Sequence, residues 1–185
     1  QNDSPLFRAL DGLYEPSAIQ QLADGRFLVL EDEKTHPFSL LTIGSDGAVT
    51  GSPVRQKPQD LPKLNDLEGI ALNQSGLIYA ITSHSRDSDG EEKASRERLL
   101  RFRIEADRVV APKVSNALKP ALLAAHPVLA AAAEIRDVKA GGGLNIEALD
   151  LSADAQRLLI GFRSPLLGKR ALVAGVADDG GFGFA

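Results

Sequence analysis

The sequence predicts an all-β fold made of β-propeller blades, each blade being a meander of four antiparallel strands. Short apolar strands separated by polar turns occur in three successive groups along the chain. Each group opens near an acidic residue, Glu15, Glu68 or Glu147. A supersecondary unit that repeats at tens of residues is typical of solenoids, arrays and propellers. Four antiparallel strands per unit favour the propeller, in which each blade hides one face against a neighbour.

The strands of the three units follow from period-two alternation and from turn residues. The first unit has predicted strands at 17–22, 26–30, 38–43 and 48–50, with turns that contain Gly25 and Gly47. The second has strands at 67–72, 77–81, 99–104 and 109–111, the last of which Pro112 is expected to stop. The third has strands at 145–151, 157–165 and 171–176, followed by a short one at 182–184. Three copies of one meander therefore cover most of the chain.

Two segments interrupt this pattern. Residues 115–138 predict a helical insertion, with one short helix ending near Ala125 and a second beginning at Pro127. The loop at 84–98 is acidic and then mixed in charge, and its spacing does not match a calcium-binding loop. We favour a solvated loop over a metal-binding one, and its length makes it a candidate flap over the residues beneath it.

Composition limits the classes of function. The chain has 185 residues, a formal charge of −4, and neither cysteine nor methionine. The acidic balance argues against nucleic acid or an anionic membrane as a partner, and no apolar run approaches the roughly 20 residues that span a bilayer. The absence of cysteine excludes disulfides and thiolate chemistry. Residues 1–185 are predicted to form a single partial propeller domain.

Three blades do not close a circle, so open blade faces would meet water. We expect the chain to be part of a longer, roughly six-bladed ring. The alternative is a pair of identical half-rings that close into one propeller. In either case the remainder of the propeller, or a second copy, is the expected partner.

The candidate site lies where the first strand of each blade starts and the second strand ends. In an antiparallel meander these two points share one edge, which in a propeller opens on the central channel. The residues placed there are Glu15, Glu68 and Glu147 with Asp32, His84, Arg86, Arg163 and Ser164, and with Asp66 and Asn145 two residues before the glutamates. Clustered carboxylates need compensation, because like charges raise each other's pKa.

Two kinds of compensation are compatible with the sequence. A hard divalent cation such as calcium would accept carboxylate and amide oxygens. Alternatively, Arg86 and Arg163 pair with Glu68 and Glu147 as salt bridges between adjacent blades. A serine nucleophile is disfavoured, because the neighbouring Ser83 and His84 point to opposite faces of a strand and no nucleophile elbow is present.

Two sets of motifs resemble an uncharacterised bacterial propeller family, a domain of unknown function. They are Asp66-Leu-Glu-Gly-Ile-Ala71 with Ser83-His-Ser-Arg86, and Gly143-Leu-Asn-Ile-Glu-Ala-Leu149 with Leu159-Ile-Gly-Phe-Arg-Ser-Pro165. That family is distantly similar to the esterase-like domain of phytases and to gluconolactonase-type propellers. The third blade departs from the family pattern, because Ala148 follows the glutamate where glycine is usual.

The resemblance implies a site at the channel mouth formed by Glu68, Glu147, His84, Arg86 and Arg163. It also implies calcium held by Glu68, Glu147, Asp66 and Asn145, and hydrolysis of a small anionic or ester substrate: an ester, a phosphoester or a lactone. The alternatives are a propeller that binds a ligand without turnover and a structural propeller with salt-bridged blades. With the missing methionine, the resemblance indicates a periplasmic or extracellular protein, and a cytoplasmic location is left open.

Overall fold

The computed structural model describes residues 13–32, 36–54, 61–177 and 182–183. The first sheet has the order β1 (Pro16–Gln21), β2 (Phe27–Glu31), β3 (Phe38–Ile43), β4 (Val49–Pro53). The second has the order β5 (Leu67–Leu72), β6 (Ile78–Thr82), β7 (Leu99–Glu105), β8 (Arg108–Ser115). The third contains β9 (Asn145–Leu151), β10 (Arg157–Leu167) and β11 (Arg170–Ala177), with β10 in the middle. All pairings are antiparallel between consecutive strands, so the prediction of propeller blades is confirmed.

The three sheets pack face to face in chain order. The first strand of the middle sheet, β5, contacts both β1 and β9, the first strands of its two neighbours. One apolar cluster fills the space between the first and second sheets and includes Leu28, Phe38 and Phe102. A second cluster joins the second and third sheets to the helical insertion and includes Ile81 and Ile146. The middle blade is therefore buried on both faces, which brings the starts of all three blades together.

Close approach of β5 and β9 depends on Gly69. A Cβ atom built there would lie 2.7 Å from the backbone nitrogen of Leu149 and 2.8 Å from its Cβ. Backbone cannot move aside as the end of a long side chain can. We therefore expect Gly69→Ala to lower the free energy of unfolding by about 1–3 kcal/mol, as overpacking usually does.

A denaturant titration of Gly69→Ala checks this expectation. Gly175→Ala is the matched control, because a Cβ at Gly175 in β11 would meet no atom nearer than 3.7 Å. The control should equal the wild type or slightly exceed it in stability, since alanine restricts the unfolded chain. Equal midpoints for the two variants would show that the blades can separate at this point without cost.

The structure corrects the predicted end of the second blade. Strand β8 continues through Pro112 to Ser115. Its register against β7 shifts between Arg101 and Arg103, and Ala111 has a φ of 47°. Proline is tolerated here because it lies in a bulge on an edge strand, where no ladder hydrogen bond is lost.

The strand predicted at 182–184 is not observed in the described residues. Phe182 and Gly183 are described and are not in a strand, and residue 184 lies outside the described part of the chain. The ring of Phe182 is buried and stacks on Tyr79, with the guanidinium of Arg101 4.8 Å from the ring centre. This segment therefore packs against the second blade.

The helical insertion matches the expected pair of helices and adds a third. The helices are α1 (Leu118–Ala125), α2 (Pro127–Ala133) and α3 (Val138–Gly141), and a short 3-10 helix (Ala94–Arg96) lies in the loop before β7. His126 is exposed between α1 and α2, and Leu122 and Leu129 pack into the core. Within the described ranges, no helix has the length and apolar character needed to cross a membrane.

Candidate functional site

Each blade has a bulge at the same place in its first strand. The register of β1 against β2 shifts around Ser17, that of β5 against β6 around Glu68, and that of β9 against β10 around Glu147. A bulge inserts an extra residue and re-aims its side chain. Ser17 is therefore the counterpart of the two glutamates in the first blade. Glu15, which the sequence analysis placed in that role, corresponds to the position two residues earlier, and that assignment was wrong.

A pocket of about 810 Å³ lies beside the bulges of the second and third blades. Its lining residues are Asp66, Glu68, Ser85, Arg86, Asp87, Ser88, Asp89, Gly90, Arg96, Arg136, Asp137, Val138, Lys139, Asn145, Glu147 and Arg163. The pocket thus brings together six of the predicted site residues, Asp66, Glu68, Arg86, Asn145, Glu147 and Arg163. His84, Glu15, Asp32 and Ser164 do not line it.

Glu68 is the chemically distinctive group in this pocket. Its carboxyl is half-buried and makes no hydrogen bond or ion pair with any described residue. Burial raises the pKa of Glu68 to about 7, and the negative charges of Asp66, Glu147 and Asp32 add to the rise. Arg96 acts in the opposite direction. A carboxyl in a pocket that titrates near neutrality is a candidate for acid–base chemistry.

Asp66 forms an ion pair with Arg96, whose Nη2 donates to the carboxylate. The same Nη2 donates to Ser85 Oγ at 2.8 Å, and Nε donates to the Ser85 carbonyl at 3.1 Å. Sequence reasoning missed Arg96, which belongs to the long loop at 84–98. One arginine therefore holds a carboxylate, a hydroxyl and a carbonyl at the pocket.

Glu147 pairs with Arg163 within the third blade, at 2.9 Å between Oε1 and Nη1. Both side chains are largely exposed, so the pair adds little to stability. Beside it, Asn145 Oδ1 is buried and has no hydrogen-bond partner among the described residues. The two observed pairs, Asp66–Arg96 and Glu147–Arg163, lie within single blades. The predicted pairing of Arg163 with Glu147 is therefore observed, but it joins two strands of one blade and not two adjacent blades.

Arg86 lines the pocket but does not make the predicted pair with Glu68. Its Nε donates to the carbonyl of Ala133 at 2.9 Å and its Nη1 to that of Gly90 at 3.2 Å. It also lies 3.7 Å from Glu92. The guanidinium thus fastens the loop at 84–98 to helix α2, and Glu68 is not one of its partners.

His84 is in the core rather than at the opening. The ring is buried, its Nδ1 hydrogen-bonds the carbonyl of Thr82 at 2.8 Å, and its Nε2 has no partner among the described residues. Burial lowers the pKa of His84 to about 4, so the ring is neutral at neutral pH. The backbone at His84 is left-handed, with a φ of 54°. The expectation that His84 faces the channel mouth is therefore not met.

The donor set does not fit calcium in this arrangement. Across the described ranges, no group of three or more histidine, aspartate or glutamate side chains is arranged to hold a metal ion. Of the four predicted calcium ligands, Asp66 and Glu147 are already paired with arginines. Only the Glu68 carboxylate and Asn145 Oδ1 are then left of that set. Calcium takes six to eight oxygen ligands. These residues would have to rearrange before they could form a calcium site.

Comparisons with known proteins found similarity only among solved structures. No protein-family model and no curated protein matches the chain. A pyranose dehydrogenase PQQ domain from Coprinopsis cinerea aligns with 82% of the chain at 16% identity and a TM-score of 0.44. A glucose dehydrogenase aligns with 89% at 14% identity and a TM-score of 0.41. The extracellular domain of a putative hybrid two-component system from B. thetaiotaomicron aligns with 89% at 10% identity and a TM-score of 0.33.

The chain spans 28%, 40% and 22% of the lengths of these three proteins, respectively. At such identities and TM-scores, their activities carry no argument about this chain. What the fold and the site define is a class: propeller blades with a charged pocket where the second and third blades begin. The particular family stays a prediction from the sequence.

Proposed function

We propose that the pocket is a hydrolytic site in which Glu68 is the general base that activates water against an ester, a phosphoester or a lactone. One observation carries the proposal: Glu68 is half-buried in the pocket without a partner among the described residues. The pocket carboxylates Asp66 and Glu147 are held by arginines, and Asp137 accepts a hydrogen bond from the backbone of α3. The Glu68 carboxylate is therefore available to accept a proton.

The surroundings of Glu68 suit a base that works near neutral pH. A general base is most effective when its pKa lies near the working pH. Burial and the neighbouring carboxylates supply that match, as the pKa of about 7 indicates. In the proposed reaction Glu68 accepts a proton from water as the water oxygen bonds to the carbonyl carbon or phosphorus. The bond to the leaving oxygen then breaks, and the protonated carboxyl can return the proton to that oxygen.

Cations at the pocket suit a substrate with an anionic group. Lys139 is exposed on α3 and lines the pocket, and it has no ion-pair partner among the described residues. Arg163 is also largely exposed, although it is paired with Glu147. A small anionic substrate could reach both from solvent, which agrees with the substrate class implied by the sequence resemblance.

The periplasmic or extracellular location remains a prediction from the sequence. So does the calcium cofactor, and binding of calcium can be tested through its effect on the melting temperature. Because the present donors do not fit the ion, we expect no rise in melting temperature with millimolar calcium. A ligand at 100 times its dissociation constant would stabilise the fold by about 2.7 kcal/mol. A rise in the wild type that is lost in Glu68→Ala would contradict this expectation and show that the carboxylates rearrange around the ion.

Hydrolysis of a panel of aryl esters, phosphoesters and lactones tests the proposed function. The wild type should turn over at least one class, and Glu68→Gln should lose that activity. The second candidate is a binding site without turnover, since the same exposed cations could hold a ligand. A compound that raises the melting temperature and is never hydrolysed would favour binding over catalysis.

A further inference from the structure

We infer that Arg96 is a positioning residue that holds the Asp66 carboxylate away from Glu68 and thereby keeps the Glu68 carboxylate free. The inference rests on the proposed function of Glu68. It assigns a role to a residue of the long loop that the sequence pattern does not single out. Arg96 itself need not touch the substrate.

The hydrogen bonds of Arg96 fix its position from both its main chain and its side chain. Its carbonyl accepts from the His84 backbone N–H at 2.8 Å and from the Thr82 hydroxyl at 2.6 Å. Its guanidinium holds Ser85 through the hydroxyl and the carbonyl. The guanidinium also forms the ion pair with Asp66, and its Nη2 donates to Ser83 Oγ at 3.4 Å. A group fixed at so many points can hold a carboxylate in one orientation.

Asp66 needs such a restraint because of where the chain places it. It lies two residues before Glu68, at the start of the bulged strand, and its φ of 62° is left-handed. Its backbone N–H donates to Asp32 Oδ1 at 2.9 Å, so its main chain is tied to the first blade. Its side chain lines the same pocket as Glu68. Only the side chain is therefore left to turn.

Without Arg96, Asp66 would lose its ion-pair partner, and a proton shared with Glu68 would compensate its charge. Two carboxyl groups that share a site bind one proton between them, and the shared proton is held tightly. Glu68 would then be occupied as the partner of Asp66 and would be a poor base for water. The other charges that act on Glu68 are those of Asp32 on the first blade and Glu147 on the third, both negative, and Arg163 is already paired with Glu147. Among the other cations that line the pocket, Arg86 is paired with Glu92 and Arg136 with Glu91, and Lys139 is exposed on α3.

Ser85 shows that the arrangement is ordered rather than a lone ion pair. Ser83 Oγ accepts from the Ser85 backbone N–H and lies 2.8 Å from Ser85 Oγ, and both residues are buried. Ser85 Oγ in turn donates weakly toward Asp66 Oδ2, at 3.5 Å. Arg96 therefore orients the hydroxyl and the carboxylate together on one side of the pocket.

The test combines kinetics and crystal structures of Arg96→Gln and of the double variant Asp66→Asn with Arg96→Gln. We expect Arg96→Gln to lower kcat by about 10- to 100-fold, a part of what a general base supplies, with KM nearly unchanged. The double variant should recover most of the lost kcat, because asparagine cannot share a proton with Glu68. A purely structural role for Arg96 predicts no recovery, and a double variant no faster than Arg96→Gln would overturn the inference.

The crystal structures give a result that does not depend on activity. In Arg96→Gln at mildly acidic pH, an oxygen of Asp66 should lie within about 2.7 Å of an oxygen of Glu68, as in a charge-assisted hydrogen bond. An Asp66 side chain that keeps its wild-type position would refute the inference. If Arg96→Gln does not fold, Arg96→Lys is measured in the same way. Lysine keeps the charge but cannot bridge Asp66 and the Ser85 carbonyl, so a smaller loss of kcat is expected, and a wild-type kcat with Asp66 in its wild-type position would overturn the inference. Activity retained by Glu68→Gln would instead refute the proposed function, and the Asp66 position would still be decided by the structures.

Discussion

Glu68→Gln is expected to reduce kcat for hydrolysis by about 10²- to 10⁴-fold, the contribution of a general base. Glutamine keeps the size and shape of the side chain but cannot accept a proton at neutral pH. The comparison is a steady-state assay of both proteins on whichever substrate class the wild type hydrolyses. Glu134→Gln is the matched control, since Glu134 is an exposed carboxylate at the end of α2 that does not line the pocket. A Glu68→Gln variant within a fewfold of the wild type would eliminate Glu68 as the base.

The pH dependence of the hydrolysis rate is a second test of Glu68 as the general base. The pKa of Glu68 is about 7, so the ionised fraction falls tenfold for each pH unit well below that value. The wild-type rate should rise with pH up to about 7 and then level off. Residual hydrolysis by Glu68→Gln should lack this rise.

The stability of Glu68→Gln separates lost chemistry from lost structure. The folded-state pKa of Glu68 is raised from 4.5 to about 7, so the folded protein binds the proton more tightly than the unfolded chain. Wild-type stability should therefore fall as pH rises from about 4.5 to 7, and the cost remains above that range. Glutamine has no such cost, so the variant should melt at or above the wild-type temperature at pH 8. If the variant is inactive and also melts at a much lower temperature than the wild type, unfolding would explain the loss of activity.

The strands were predictable because period-two apolar patterns and turn residues mark them, but the bulges were not. The extra residue at Ser17, Glu68 or Glu147 interrupts the pairing with the second strand, and the apolar pattern alone does not reveal at which residue this happens. A usable signal was present in the turns. Ser17, Glu68 and Glu147 each lie eight residues before the left-handed turn residue, which is Gly25, Gly76 or Ala155. Alignment on those turns would have placed Ser17, not Glu15, opposite the glutamates.

Only part of the site was predicted, because the apolar patterns locate residues on strands but not those in irregular loops. The first strands locate Asp66, Glu68, Asn145 and Glu147, because strand geometry alone brings them to one edge. The arginine that pairs with Asp66 lies 30 residues away, in a loop without regular pattern. Spacing cannot decide which arginine of such a loop reaches the carboxylate.

The inward position of His84 also escaped the sequence pattern. A strand-end residue is expected at the rim, but the left-handed backbone at His84 breaks the strand alternation. Local conformation therefore overrode the pattern there.

Phe102→Ala is expected to lower the free energy of unfolding by about 3–5 kcal/mol, the usual cost of a large cavity in a core. The Phe102 side chain is fully buried, and its ring lies 5.0 Å from that of Phe38, which belongs to the first blade. The cavity would therefore open between two blades rather than inside one. Denaturant titration measures the loss, with Val173→Ala as the control, because Val173 is 68% exposed and its truncation should change stability by less than about 0.5 kcal/mol. A loss below about 1 kcal/mol for Phe102→Ala would mean that the first blade is not packed on the second in solution. The tie between Asp32 and Asp66, and with it the pocket geometry, would then also fail.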